Sequence, residues 1–159
     1  MNDPYATHRL HAYISALIAL LLSAIPLPHV LGLLRPDLLL LVVIWFALMS
    51  PRSTGLLYAF SWGLLLDAFS GVLLGQHALG FVAVSFFVHH FHLRMRMFPL
   101  PHQTFVVLIL LWLYQFLMFW IDGVNGHPLN EWSRLLAGVG GALCWPLLSG
   151  LFSSLVRRH

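Results

Sequence analysis

One stretch limits what this chain can fold into more than any other: GLLYAFSWGLLLDAFSGVLLG, from Gly55 to Gly75. Its roughly 20 residues make a helix of about 30 Å, the thickness of a bilayer core. Gly55, Ala59, Gly63, Asp67, Gly71 and Gly75 recur every four residues. Positions four apart drift only ~40° around a helix, so these six form one slowly spiralling stripe that a neighbouring backbone can approach closely. Asp67 is the only acid in the run. A carboxyl group at that depth is costly unless it is protonated, hydrogen-bonded or paired, so the stripe is expected to face protein. The stretch is therefore read as the packing centre of a small membrane bundle.

Composition agrees. The 159 residues are 60% hydrophobic and 8% charged, with a mean hydropathy of +0.87. Such a chain is an all-α integral membrane protein, read here as a single polytopic domain over residues 1–159 with no room for a soluble one. Its net charge of +3 comes entirely from arginine. The arginines lie in loops between apolar runs, which points to orientation in a membrane rather than to nucleic acid. A lone cysteine, Cys144, excludes a disulfide framework and a Cys-based metal cluster. No small-x-small cleavage pattern follows the first apolar run, which is read as an uncleaved helix.

Six helices are expected, at about 11–25, 36–50, 55–75, 78–92, 104–121 and 135–156. Pro26 and Pro28 end the first. Pro36 and Asp37 open the second, where proline fits the first turn and an acid suits the positive end of the helix dipole. At about 15 residues, or ~22 Å, this helix is short for a span. With six spans, Arg9, Arg52, Arg94, Arg96, Arg157 and Arg158 share one side, and only Arg35 and Arg134 fall on the other. Positive residues prefer the cytoplasm, so both termini are expected there.

Counting residues sets Asp67 about 18 Å from the cytoplasmic end of the third helix, with Gln115 and Trp145 near the same height. Asp67, Gln115 and Trp145, with Ser70 beside them, are expected to form a buried polar cluster. Its role is read as fixing how helices pack, since no second acid or arginine shares that depth for a proton relay. His89 and His92 lie on one helical face, but without a nearby acid two imidazoles make a poor metal site, and no metal or cofactor is expected. Small residues recur at Ala137–Ala142, including Gly138 and Gly141. With Gly63, Asp67, Ser70, Gly71 and Gly75 they are the candidates for helix packing, within the chain or with a partner. Pro146 in the last helix is expected to kink it. No GxSxG, HExxH or Walker loop occurs, and no catalytic residue is assigned.

Three segments carry a resemblance: RPDLLLLVVIWFAL (Arg35–Leu48), GLLLDAFSGVLLGQHAL (Gly63–Leu79) and LCWPLL (Leu143–Leu148). Together they resemble the bacterial rod shape-determining MreD family, whose shared pattern is matched at Arg35, Pro36, Asp37, Asp67 and Gly71. The resemblance implies a six-helix fold similar to the substrate-binding components of energy-coupling-factor transporters. It also implies a non-catalytic component of the elongation machinery that supports lateral peptidoglycan synthesis. Association with the bitopic protein MreC is implied, and indirectly with MreB, RodA and a penicillin-binding transpeptidase. The histidine-rich HHFH run (His89–His92) is not part of that likeness.

Beside the resemblance, the residues themselves suggest action through helix surfaces or short loops. The third or sixth helix is expected to offer a small-residue contact to a partner's single transmembrane helix, and the basic segment 94–103 to touch cytoplasmic partners or anionic lipid. The alternative is a small-molecule-binding transport component, with a pocket lined by Asp67 and aromatics.

Overall fold

The segment LLLLVVIWFALM carries no polar side chain, and a helix that is apolar all round is stable only when it is surrounded. The computed structural model describes residues 4–24, 37–124 and 131–156. They form six helices: α1 (Pro4–Ala24), α2 (Leu38–Met49), α3 (Leu56–Ser70), α4 (Gln76–Met97), α5 (Leu100–Val124) and α6 (Glu131–Val156). That apolar segment, α2, is the centre. Every residue from Leu39 to Leu48 is buried, and the helix packs against α1, α4 and α6. Around it, α3 lies on α4, and α5 lies between α4 and α6.

This corrects the expectation that the Gly55–Gly75 stretch is the packing centre. Only Tyr58, Ala59, Trp62, Gly63 and Asp67 of α3 are buried, because its small residues line one face and its leucines and phenylalanines point outward. The stretch is also not one helix. α3 stops at Ser70, and Gly71 and Gly75 adopt left-handed φ values of 66° and 102°. That backbone region suits glycine, so these two residues reverse the chain rather than continue the stripe.

Other boundaries shift for similar local reasons. α1 begins at Pro4, so the polar residues ahead of its apolar run are helical. α4 continues through Arg94 and Arg96, which were expected in a loop, and only Phe98 and Pro99 separate it from α5. Phe98 is extended, as a residue before proline tends to be. Gln103 then reaches back from α5 and donates its amide Nε2 to the carbonyls of Met95 and Phe98, at 3.0 and 3.1 Å. This satisfies acceptors that the end of α4 leaves open. α6 runs without interruption past Pro146.

By length and composition, three segments can cross a membrane: Gln76–Met97, Leu100–Val124 and Leu136–Ser154. Arg9–Ser23, Leu38–Met49 and Leu56–Ser70 are shorter apolar helices. The chain is thus a helical membrane protein in which the central helix, about 18 Å long, is wrapped by longer ones. α1 serves α2 with a row of small residues, Ala12, Ala16 and Ala19, all buried. The Tyr58 hydroxyl fastens α3 to this helix by donating to the Ala12 carbonyl at 2.7 Å.

Candidate functional site

At the C-terminal end of α3, Asp67 is fully buried. Its two oxygens meet the start of α4. Oδ2 accepts the backbone N–H groups of Gly75 at 2.8 Å and Ala78 at 3.4 Å, and Oδ1 accepts that of His77 at 2.8 Å. Oδ1 also accepts Nδ1–H of the His77 ring at 2.7 Å. The first N–H groups of any helix lack partners within it, and their aligned dipoles favour an acidic group. Asp67 is therefore an N-terminal cap supplied by the preceding helix. The five-residue turn Gly71–Gly75 makes the geometry possible, with Gly71 N–H closing onto the Asp67 carbonyl at 3.0 Å.

The expected cluster of Asp67, Gln115 and Trp145 does not form. Gln115 donates its amide to Asp37 Oδ2 at 3.1 Å, tying α5 to the start of α2. Trp145 is fully buried, and its indole N–H meets no acceptor among the described residues. Ser70 is exposed and leaves Asp67 alone. The physical reason is proximity in sequence. An unpaired helix start eleven residues or fewer away outcompetes a side chain on another helix.

A second acid joins this end of the bundle. Asp122, buried in the last turn of α5, accepts Gln76 Nε2–H at 2.7 Å from the first turn of α4. Asp37, Asp67 and Asp122 thus mark the same end, at the start of α2, the end of α3 and the end of α5. Arg52, Arg94 and Arg96 lie toward the other, while Arg134 in the first turn of α6 shares the acidic end. Arg96 donates to the carbonyl of Met49 at the end of α2, and Arg52 lies in the turn that follows. His89 belongs to this end as well. Its ring nitrogens lie 2.7 Å from the Ser85 carbonyl and 2.8 Å from the Thr54 carbonyl, joining α4 to the α2–α3 turn. Nδ1 of His92 is held by the carbonyl of His89 at 2.6 Å. Among the described residues no three His, Cys, Asp or Glu side chains gather in a way that would hold a metal ion.

The small residues sort into three kinds. A Cβ on Gly63 would stand 2.4 Å from the Ala78 Cα, so α3 and α4 touch backbone to backbone there. Gly138 and Gly141 are filled by Trp112 and Leu111 of α5. Gly71 and Gly75 have open space where a side chain would go, but their φ values are positive. Of the other positions named from the sequence, Arg35 and Pro36 lie outside the described residues, while Asp37 stands at the N-terminal boundary of α2. Sequence reasoning missed Gln76, His77, Gln103 and Asp122. Glycine-bounded GQH after an apolar run was the available signal for the first two.

A model of the family described as rod shape-determining protein MreD matches residues 7–155. The rod shape-determining protein MreD of Haemophilus influenzae is 26% identical over 141 residues, which cover 89% of this chain and 87% of that protein. No solved structure matches. The family match takes in every helix described above, with the Asp67 cap between α3 and α4 near its middle, and the chain belongs to the MreD family of rod shape-determining proteins.

Proposed function

We propose that this protein is a non-catalytic component of the bacterial inner membrane that binds and positions a bitopic partner of the MreC kind, and so supports lateral peptidoglycan synthesis by the elongation machinery. The observation that carries the reading is the family match over nearly the whole chain. The division of charge supports an orientation with the arginine end in the cytoplasm, since positive residues are retained there. MreB, RodA and a penicillin-binding transpeptidase are then reached through the partner.

The contact surface must lie outside the internal glycine seams, because Gly63, Gly138 and Gly141 are already filled by the chain's own helices. α6 offers the best alternative. Leu136, Val139, Leu143, Leu147 and Leu151 recur every three or four residues and are exposed, and Gly150 beside them has open space above its backbone. A ridge of that period with a small residue in it accepts one crossing helix. The transport alternative needs Asp67 free to face a pocket, whereas its side-chain hydrogen bonds go to Gly75, His77 and Ala78 at the start of α4.

Purification of the tagged protein from its native membrane in mild detergent, with mass spectrometry for proteins and metabolites, tests this. A bitopic protein recovered with cell-wall synthases is the expected result. A bound metabolite without any such partner would overturn the reading in favour of transport.

A further inference from the structure

On the arginine end, the turn between α2 and α3 and the last turns of α4 enclose a cleft of about 350 Å³. Arg52, Ser50 and Ser53 form one wall, and His92, Leu93 and Arg96 the other. We propose that this cleft binds the phosphate group of an anionic membrane lipid. The volume lies at the lower end of the range for small-ligand sites. Arginine suits phosphate because its planar fork donates two parallel hydrogen bonds to a pair of oxygens.

Charge balance argues for an anion. No acidic side chain lines the cleft, and Asp37, Asp67 and Asp122 are at the opposite end of the bundle. Two arginines lining one cleft with no acid among its walls give it a positive potential that favours an anion. Arg96 uses one donor on the Met49 carbonyl, and Arg52 makes no hydrogen bond among the described residues. A guanidinium has five N–H donors, so most of this capacity faces the cleft or solvent.

A lipid, rather than a free phosphate, follows from what continues the wall. Leu93 belongs both to the cleft and to the outward face of α4, where Phe86 and Met97 are also exposed at positions seven before and four after it. A phosphate held by Arg52 and Arg96 would have this apolar strip beside it for an acyl chain. Basic pockets between helices on the cytoplasmic side bind anionic headgroups for the same electrostatic reason. Arg94 is an internal control. It lies on the other side of α4, in a separate cleft of about 280 Å³ lined by Phe87, Phe91, Met95 and Phe98.

Native mass spectrometry of the detergent-purified protein, titrated with dioleoyl phosphatidylglycerol and with dioleoyl phosphatidylcholine, provides the test, and it needs no protein partner. The wild type should retain phosphatidylglycerol preferentially. Arg52→Gln with Arg96→Gln should lower that retention on the order of ten-fold, and Arg94→Gln should leave it unchanged. Arg52 makes no hydrogen bond among the described residues, so Arg52→Gln alone should weaken retention in a folded protein even if the double variant is unstable. Equal retention of the two lipids by the wild type would overturn the proposal. So would an equal loss in Arg94→Gln, which would signal diffuse charge. Inorganic phosphate competing away the bound lipid would support the shared site. Phosphate binding through Arg52 and Arg96 without any lipid preference would overturn the lipid assignment.

Discussion

Asp67 and His77 meet twice, on two helices joined by a turn of five residues: one carboxyl oxygen accepts both the ring Nδ1–H and the backbone N–H of the histidine, at 2.7 and 2.8 Å. Ten residues of sequence separate them. With Gly75 and Ala78 contributing two more donors, a single buried side chain terminates the unpaired end of α4 and fixes its angle to α3. The acid in the apolar run is thus a joint between helices, which needs neither a proton path nor a ligand.

Removal of that joint should be costly. Asp67→Ala leaves several backbone N–H groups without an acceptor in a buried place, and a loss of about 3 kcal/mol or more is expected. Asp67→Asn should also destabilise, because its NH₂ would face donors. His77→Gln removes the ring bond and the ring's contact with Tyr114 but leaves the backbone donors in place, and should cost about 1 kcal/mol. Thermal unfolding of the purified variants in one detergent gives the order: Ala and Asn at position 67 well below His77→Gln.

Close approach at Gly63 gives a second prediction. Gly63→Ala puts a methyl group against the backbone of Ala78, with no flexible side chain to move aside, so α3 and α4 must separate at a cost of about 1–3 kcal/mol. Gly150→Ala meets open space inside α6 and should be neutral or stabilising by up to about 1 kcal/mol. The same unfolding measurement separates the two glycines.

Much of this was legible in the sequence, and the parts that were not share a cause. Helix number and order follow from runs of apolar residues bounded by proline and glycine. The importance of Asp67 was readable from its setting, but not its partners. Four-residue spacing made Gly71 and Gly75 look like a continuation of the stripe, and only their positive φ values distinguish a turn from a helix. Gln115 was expected beside Asp67, but azimuth around α5 turns it to Asp37 instead. α2 looked marginal as a span for the reason that makes it central: a 12-residue helix with no polar face has to be enclosed by longer neighbours.

A third prediction follows from that enclosure. Ile44→Ala in α2 should leave a cavity and cost about 2–5 kcal/mol, although the helix is the shortest of the six. Leu57→Ala, on a side chain 78% exposed on α3, should change stability by less than about 0.5 kcal/mol. Comparable losses at the two positions would mean that α2 is not enclosed as described.

The central claim, that the protein acts by holding a partner's membrane helix, is tested most directly by crosslinking in living cells. A photoreactive residue in place of Leu147, on the outward ridge of α6, should give a crosslink to a bitopic membrane protein. One in place of Val84, buried in α4, should not. Crosslinks at Leu147 to lipid alone, with rod shape still supported by the variant, would contradict the claim.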